Sequence, residues 1–575
     1  MFMNRKTFSN RILPNLLLWI LPLIFLGIFY FLPLASILKI SLGQDNFNIT
    51  TTLNQALESQ LILDAIWFTI WQAFLSTFLT LIVGLPGAYL FARYTFRGKN
   101  LLKAITVIPF VIPTVVVAAA FYALIGPRGW INIGLMQVMD LEGPPIQLTN
   151  TIYAILLAHV FYNTTIILRI VGDFWSHIDP RINQAARILG ANQLKAFLTV
   201  TFPILGPAIG AASLLVFLFN FTSFGVILIL GGPRFATLEV EIYYQTISLF
   251  NLPLAAVLSI IQLFFTLAIT ITYTRLNRHL TLPLQLKSRT FTQKKLLSWN
   301  SRIVAGFVII VLVILLITPL FALAARSISR FEATRESESS VYSSITLDYY
   351  RQLTINQRDS MFFVPPTIAI RNSLLFASLV VIIALMIGLP AAWALSYHSD
   401  MFINRTLDPI LMLPLGTSAV TLGLGFIVTL NQPPLDLRAS PILIPIVHTL
   451  VAFPFVVRSL TPSLRTIKPQ LRKAASVLGA SPFAVIRTID LPLVGRAILV
   501  AATFAFTISL GEFGATSLVS RPEYPTMPLM IYRFISQPGA LNYGQAMAMS
   551  TILMVVTSAA IILIERIRIA EIGEF

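Results

Sequence analysis

The chain has no cysteine among its 575 residues. Disulfides, thiol nucleophiles and thiolate metal sites are therefore excluded. Charged residues make up only 11%, against about 25% in a typical soluble domain. No G-x-x-x-x-G-K-[ST] phosphate loop occurs, so nothing here binds and hydrolyses ATP in the usual way. No paired catalytic carboxylates, metal-ligand cluster or nucleophile motif stands out, which argues against a membrane-embedded enzyme. What remains is apolar: 56% of residues are hydrophobic and the mean hydropathy is +0.82. Such a composition belongs in a bilayer.

A membrane span needs roughly 20 apolar residues. Segments of that kind fall near 15–40, 65–92, 104–126, 151–171, 206–230 and 253–275, and again near 303–325, 369–397, 408–430, 441–460, 496–519 and 543–565. The first is too long for a signal peptide and lacks a small-residue cleavage site, so it reads as a retained span. The expected fold is an all-α polytopic membrane protein of about 12 transmembrane helices.

The net charge of +17 is a topology signal. Arg5, Lys6 and Arg11 precede the first span, Arg93, Arg97, Lys99 and Lys103 follow the second, and Arg275, Arg278, Lys287, Arg289, Lys294 and Lys295 lie midway. Alternating spans place all of these on one side, and basic loops stay inside. Both termini are thus expected in the cytoplasm, with the 326–366 segment outside. No basic soluble domain exists, so nucleic acid is not an expected partner.

The two halves match each other. Gly190 and Gly479 lie 289 positions apart, and so do Pro203 and Pro492, His159 and His448, Arg169 and Arg458, Pro180 and Pro469. Phe224-Gly225 and Phe513-Gly514 keep the same offset of 289, as do Ile242-Tyr243 and Ile531-Tyr532. Upstream, Gly84-Leu85-Pro86 and Gly388-Leu389-Pro390 keep an offset of 304. Chance does not supply that many pairs at one distance. The chain divides into a first repeat at 1–280, a polar basic cytoplasmic linker at 281–301 and a second repeat at 302–575. With six spans each, the halves are parallel repeats about an axis along the membrane normal.

The most informative segment is the cytoplasmic loop at 176–205, repeated at 465–494. Asp179 and Pro180 read as N-cap and first residue of a helix. Gln184, Ala185, Ala186 and Leu189 follow, with a small apolar strip at helical spacing. Gly190 stops the helix as a C-terminal glycine does. A second short helix is expected through Leu194 and Phe197, with Pro203 opening the next span. The other copy has Lys473, Ala474, Ala475, Leu478 and Gly479, a fresh start at Ser481, and Pro492. Two glycine-bounded helix pairs of this kind suit rigid projections that press into a partner's groove.

This pattern resembles the "EAA" loop of permease subunits of ATP-binding-cassette importers: EAA, three residues, Gly, nine residues, Ile-x-Leu-Pro. Gly479, Ile489, Leu491 and Pro492 match throughout. Lys473 and Gln184 stand where the family usually has Glu, and Val200 and Phe202 replace Ile and Leu. The apolar strip and glycine are intact, whereas a contact needing the carboxylate is lost. The runs Trp71–Ser76, Leu156–Asn163 and Phe221–Gly225 through Pro233 are similar to fused permeases of the thiamine and ferric-iron uptake group, and the last, with Glu239 to Tyr243, to thiamine permeases. Leu510–Thr516 is shared more broadly, with molybdate and sulfate permeases among others. The resemblance implies a permease in a bacterial cytoplasmic (inner) membrane. Its two loops would dock on an ABC ATPase homodimer, and an extracytoplasmic solute-binding protein would deliver thiamine, ferric iron or another small solute. No cofactor is expected on this chain; ATP and Mg belong to the partner ATPase. An ion-gradient-driven secondary transporter with two six-helix repeats is the alternative, but it does not call for the doubled loop.

Candidate pathway-lining residues are Asn220, Ser223, Phe224, Glu512 and Phe513. A carboxylate such as Glu512 within a span is costly and often functional, although the segment carrying it is shared by permeases of oppositely charged solutes. A gating or structural role is therefore favoured over solute contact. Asn220 and Ser223 fit helix–helix hydrogen bonding as well as a lining. His159 and His448 fit helix–helix bonding better than metal ligation, for which convergent ligands are missing.

Overall fold

The computed structural model describes residues 17–42, 54, 58–280, 293–331, 343–355, 364–397, 402–431 and 436–572. Arg5, Lys6, Arg11, Lys287 and Arg289, most of the 281–301 linker and the middle of the 326–366 segment lie outside the described residues.

The described residues are all-α, apart from two two-stranded pairings. Tyr94–Thr95 pairs in parallel with Lys294–Lys295, and Ser329–Phe331 pairs antiparallel with Ser343–Ile345. Among the described residues eleven helices are long and apolar enough to cross a membrane, or twelve if one bent pair counts as a span. Helices dominate because a bilayer offers the backbone no hydrogen-bonding partner, so each crossing segment satisfies its own N–H and C=O groups.

Several expected spans are not single straight rods. The segment at 408–430 is two helices, Thr406–Gly416 and Ala419–Thr429, bent by 94°. Pro414, Gly416 and the Ser418 N-cap, which accepts from the Val420 and Thr421 N–H groups, make the corner. The segment at 104–126 is divided between Lys99–Val111 and Thr114–Ile125 at Ile112 and Pro113. Pro113 has no N–H to continue the ladder. The segments at 206–230 and 496–519 also break, and their long helices begin earlier than expected, at Gln193 and Phe483. The second short helix expected through Leu194 and Phe197 is therefore the foot of a continuous rod, Gln193–Phe221, joined through a π-helical turn at Phe197–Thr201. Pro203 sits inside that rod, near the start of its straight part, where the turn relieves the missing N–H.

Leading helices pack across the halves. Leu17–Ser41 lies on the bent pair of the second half, with Tyr30 Oη and Thr417 Oγ1 2.7 Å apart and Trp19 Nε1 donating to Asn404 Oδ1 at 3.3 Å. Trp299–Ser327 lies on the first half, with Phe321 and Trp130 rings 5.2 Å apart. Within each half, a helix carrying Gly-Leu-Pro meets the fourth span closely. A Cβ on Gly84 would lie 2.7 Å from Ile167 Cβ, and one on Gly388 2.6 Å from Val456 Cγ1. Ile167 and Val456 are themselves 289 apart. Small residues of this kind let helices approach where no hydrophobic force pulls them together.

Candidate functional site

The loop helix of the first half is Pro180–Ile188, and that of the second is Pro469–Val477. Asp179 caps the first, its carboxylate accepting from the Arg181 N–H at 2.9 Å. Both end the same way. Gly190 has φ of 90° and Gly479 of 84°, the left-handed region that glycine occupies without a Cβ penalty. The Gly190 N–H donates to Arg187 O and the Ala191 N–H to Ala186 O, each at 3.1 Å. The Gly479 N–H donates to Ser476 O at 3.1 Å and the Ala480 N–H to Ala475 O at 3.0 Å. These paired bonds form a Schellman motif, which satisfies the last carbonyls and turns the chain back. A new helical start follows, capped by Asn192 on the Lys195 N–H and by Ser481 on the Ala484 N–H.

The loop tips are apolar and bare. Ile188 and Leu189 are 86% and 87% exposed, and Val477 and Leu478 are both 87% exposed. Ala185 and Ala474 are exposed beside them, with Gln184 and Lys473 facing out and Ala186 and Ala475 half-buried. Each tip thus offers two aliphatic side chains over an alanine-lined helix face.

Each loop helix is tied to the foot of the following rod at matching positions that sequence reasoning missed. In the first half Asn183 Nδ2 donates to Thr201 Oγ1 at 3.1 Å. In the second, Arg472 Nε donates to Asp490 Oδ1 at 2.7 Å, with Asp490 fully buried. The offset of 289 relates both partners, although all four residue identities differ.

A second matched region lies where the rods break. Gln193–Phe221 ends before a separate helix, Gly225–Leu230, and Phe483–Gly511 before Gly514–Val519. Phe224 and Phe513 sit in the two breaks and meet, rings 5.3 Å apart and 28° from parallel. Tyr243 packs on Phe224 at 5.4 Å and Tyr532 on Phe513 at 5.5 Å. The row Tyr243, Phe224, Phe513, Tyr532 reads the same from either half, as contacts across a two-fold axis do. The tyrosines, also missed, are carried by Leu238–Tyr243 and Met527–Ile535. The first N–H of each helix is held from another helix: Leu238 by Thr69 Oγ1 at 2.9 Å, Met527 by Ser373 Oγ at 2.8 Å. Thr69 and Ser373 are 304 apart, the offset of the Gly-Leu-Pro pair.

The polar candidates turn away from this aromatic row. Asn220 is buried, its Oδ1 accepting from Asn163 Nδ2 at 2.6 Å and its carbonyl from Gln72 Nε2 at 2.8 Å. Ser223 Oγ lies 2.9 Å from His159 Nε2, and His159 Nδ1 lies 2.9 Å from Ser76 Oγ. In the second half His448 Nδ1 lies 2.8 Å from Ser509 Oγ and its Nε2 2.7 Å from Thr516 Oγ1. Both histidines are thus helix–helix links. Glu512 holds the position of Ser223 at offset 289, in the break rather than inside a span. Its Oε1 accepts from the Ala515 N–H at 2.8 Å and its Oε2 from the Thr516 N–H at 3.0 Å and from the Thr516 hydroxyl. His448 Nε2 is 3.3 Å from the same Oε2. The carboxylate caps the short helix beyond the break, where a negative charge is favoured. Another buried carboxylate, Glu239, accepts from Gln262 Nε2 at 2.8 Å. An acid in so apolar a run was its signal. Among the described residues no group of three or more His, Cys, Asp or Glu is placed to hold a metal ion.

Known proteins bear on these features. The family model described as "Binding-protein-dependent transport system inner membrane component" matches residues 84–282, which include the first loop and the first break. The thiamine transport system permease protein ThiP of Salmonella typhimurium is 25% identical over 489 residues, covering 83% of this chain and 84% of that protein. ThiP of Brucella abortus is 27% identical over 512 residues, covering 87% and 86%. The putative 2-aminoethylphosphonate transport system permease protein PhnU of Salmonella paratyphi A is 28% identical over 255 residues, 44% of this chain but 88% of PhnU. The chain is a multi-pass inner-membrane protein that is similar, over residues 84–282, to the inner membrane components of binding-protein-dependent transport systems. Over most of its length it is similar to thiamine transport system permeases.

Proposed function

We propose that this chain is both permease halves of a thiamine importer in one polypeptide. The observation that carries the reading is the pair of loop tips. Two helices with the same Schellman ending each present a bare aliphatic pair, Ile188 with Leu189 and Val477 with Leu478. Apolar side chains left so exposed on a rigid projection mark a protein contact. Two equivalent tips suit two copies of one partner. On the topology expected from the basic loops, both tips and both termini face the cytoplasm, where an ATPase homodimer docks.

The mechanism follows from the continuity of each rod. A loop helix is bound to the foot of Gln193–Phe221 or Phe483–Gly511, and each rod runs up to the break whose phenylalanine, Phe224 or Phe513, stacks on its counterpart. Movement of the ATPase copies displaces the loops, the rods tilt, and Phe224 parts from Phe513. We read the aromatic row as the closed seal of the pathway. Glu512 and His448 keep the break in shape rather than hold solute. Solute arrives from a binding protein on the outer side. Tyr243 and Tyr532, half-buried beside the seal, offer aromatic faces suited to an organic cation such as thiamine.

The test is reconstitution with the ATPase and binding protein in proteoliposomes. Thiamine uptake that requires ATP, and is lost when the ATPase is omitted, is the expected result. Uptake driven by an ion gradient without ATP would overturn the reading.

A further inference from the structure

We infer that Arg472 and Asp490 are positioning residues that lock the second loop helix to its rod, and that Asn183 and Thr201 make the same tie more loosely in the first. The two ties occupy equivalent places. Arg472 lies in the first turn of Pro469–Val477, and Asp490 closes the π-helical turn Ile486–Asp490 at the foot of Phe483–Gly511. Asn183 and Thr201 occupy the same places on Pro180–Ile188 and Phe197–Thr201. Between tied positions the chain runs out along the helix, around the Schellman turn and back. The tie therefore closes a loop that the tip glycine alone would leave free to swing.

The chemistry of the two closures differs. Asp490 is fully buried and the Arg472 side chain is 14% exposed. Lifting the loop helix off the rod would strand the carboxylate without its cation, and a buried charge deprived of its partner is strongly unfavourable. The 2.7 Å contact is also charge-assisted, a class roughly twice as strong as neutral hydrogen bonds. Asn183 and Thr201 are neutral and their bond is 3.1 Å long, so parting them strands no charge. The second loop is thus built to move with its rod as one body. The first can yield.

The consequence for transport rests on the proposed docking role; the rigidity itself does not. Hydrogen–deuterium exchange on the full chain in nanodiscs reads rigidity without any partner. Amides of 469–477 are expected to exchange about fivefold more slowly than those of 180–188, on the scale of local opening differences. Arg472→Ala alone strands Asp490, so the working variants are paired. Arg472→Asn with Asp490→Thr should bring the second loop to the first loop's rate, and Asn183→Arg with Thr201→Asp should slow the first. Equal rates in the unaltered chain, or no change in the Asn/Thr variant, would overturn the inference. In proteoliposomes with ATPase, binding protein and thiamine, Arg472→Ala with Asp490→Ala should lower thiamine moved per ATP about fivefold while the ATPase still copurifies. An unchanged ratio would refute the coupling role. Failure of the ATPase to copurify with the unaltered chain would instead defeat the docking reading, and the exchange rates would still decide the tie.

Discussion

The loop at 176–205 and the loop at 465–494 share a backbone and differ in most of what decorates it. Both have a proline-started helix of nine residues, a left-handed glycine and the same pair of carbonyl-satisfying bonds. Yet one is capped by Asp179 and tied by a neutral bond, while the other has no side-chain cap and is tied by an ion pair. Gln184 in one corresponds to Lys473 in the other. What stays fixed is the turn and the aliphatic tip. On the docking reading, geometry and apolar surface carry the function, and the charge at the residue directly before each alanine pair does not. The aromatic breaks teach the same lesson: Phe224 and Phe513 persist, whereas Ser223 and Glu512 beside them differ in charge.

The comparison breaks most completely at the glycines. An added Cβ at Gly190 or Gly479 meets no atom within 4 Å, so the penalty is conformational rather than steric contact with neighbours. A left-handed non-glycine residue costs about 1–2 kcal/mol, and a β-branched one fares worst. Gly190→Val with Gly479→Val should re-aim both tips and abolish thiamine uptake, with the chain still inserted in the membrane. Normal uptake in that double variant would remove the loops from the mechanism.

Next in size is the contrast between ties. Arg472→Ala leaves Asp490 buried and uncompensated, a loss of about 3–5 kcal/mol. Asn183→Ala removes a neutral hydrogen bond, about 1 kcal/mol. Thermal unfolding of the purified chain should therefore fall much further for Arg472→Ala. Equal shifts would mean that the Asp490 carboxylate is not the charge being held.

A smaller effect is expected at the breaks. Glu512→Gln keeps one carbonyl acceptor for the short helix but gives up the charge, a change of about 1 kcal/mol. Stimulated ATPase turnover of the assembled complex should change while the binding protein's affinity for thiamine does not. His159→Ala, on the Ser223 side where no carboxylate waits, should alter turnover less than His448→Ala.

Much of this was legible in the sequence because its signals are local. Apolar length gave the spans, and Gly190 and Gly479 marked the helix ends that the structure shows. The breaks at Phe224 and Phe513 were not legible as breaks. The apolar run continues through them, and hydropathy does not register a turn of the backbone. The bend before Ala419 was signalled by Pro414 and Gly416 but masked by the same apolar continuity. The ties escaped because matching by identity passes over Asn183 with Arg472 and Thr201 with Asp490. Equivalence there lies in position. The crossing of the leading helices onto opposite halves depends on contacts such as Tyr30 with Thr417, which no local pattern encodes.

The central claim is that both tips dock on the same kind of partner. Because the chain has no native cysteine, single cysteines placed at Leu189 and at Leu478 report each tip without background. Cross-linking of the assembled complex should join the ATPase to the chain from either position, and the variant with both cysteines should capture two ATPase copies per chain. Capture from only one tip, or from neither while the complex stays intact, would contradict the account.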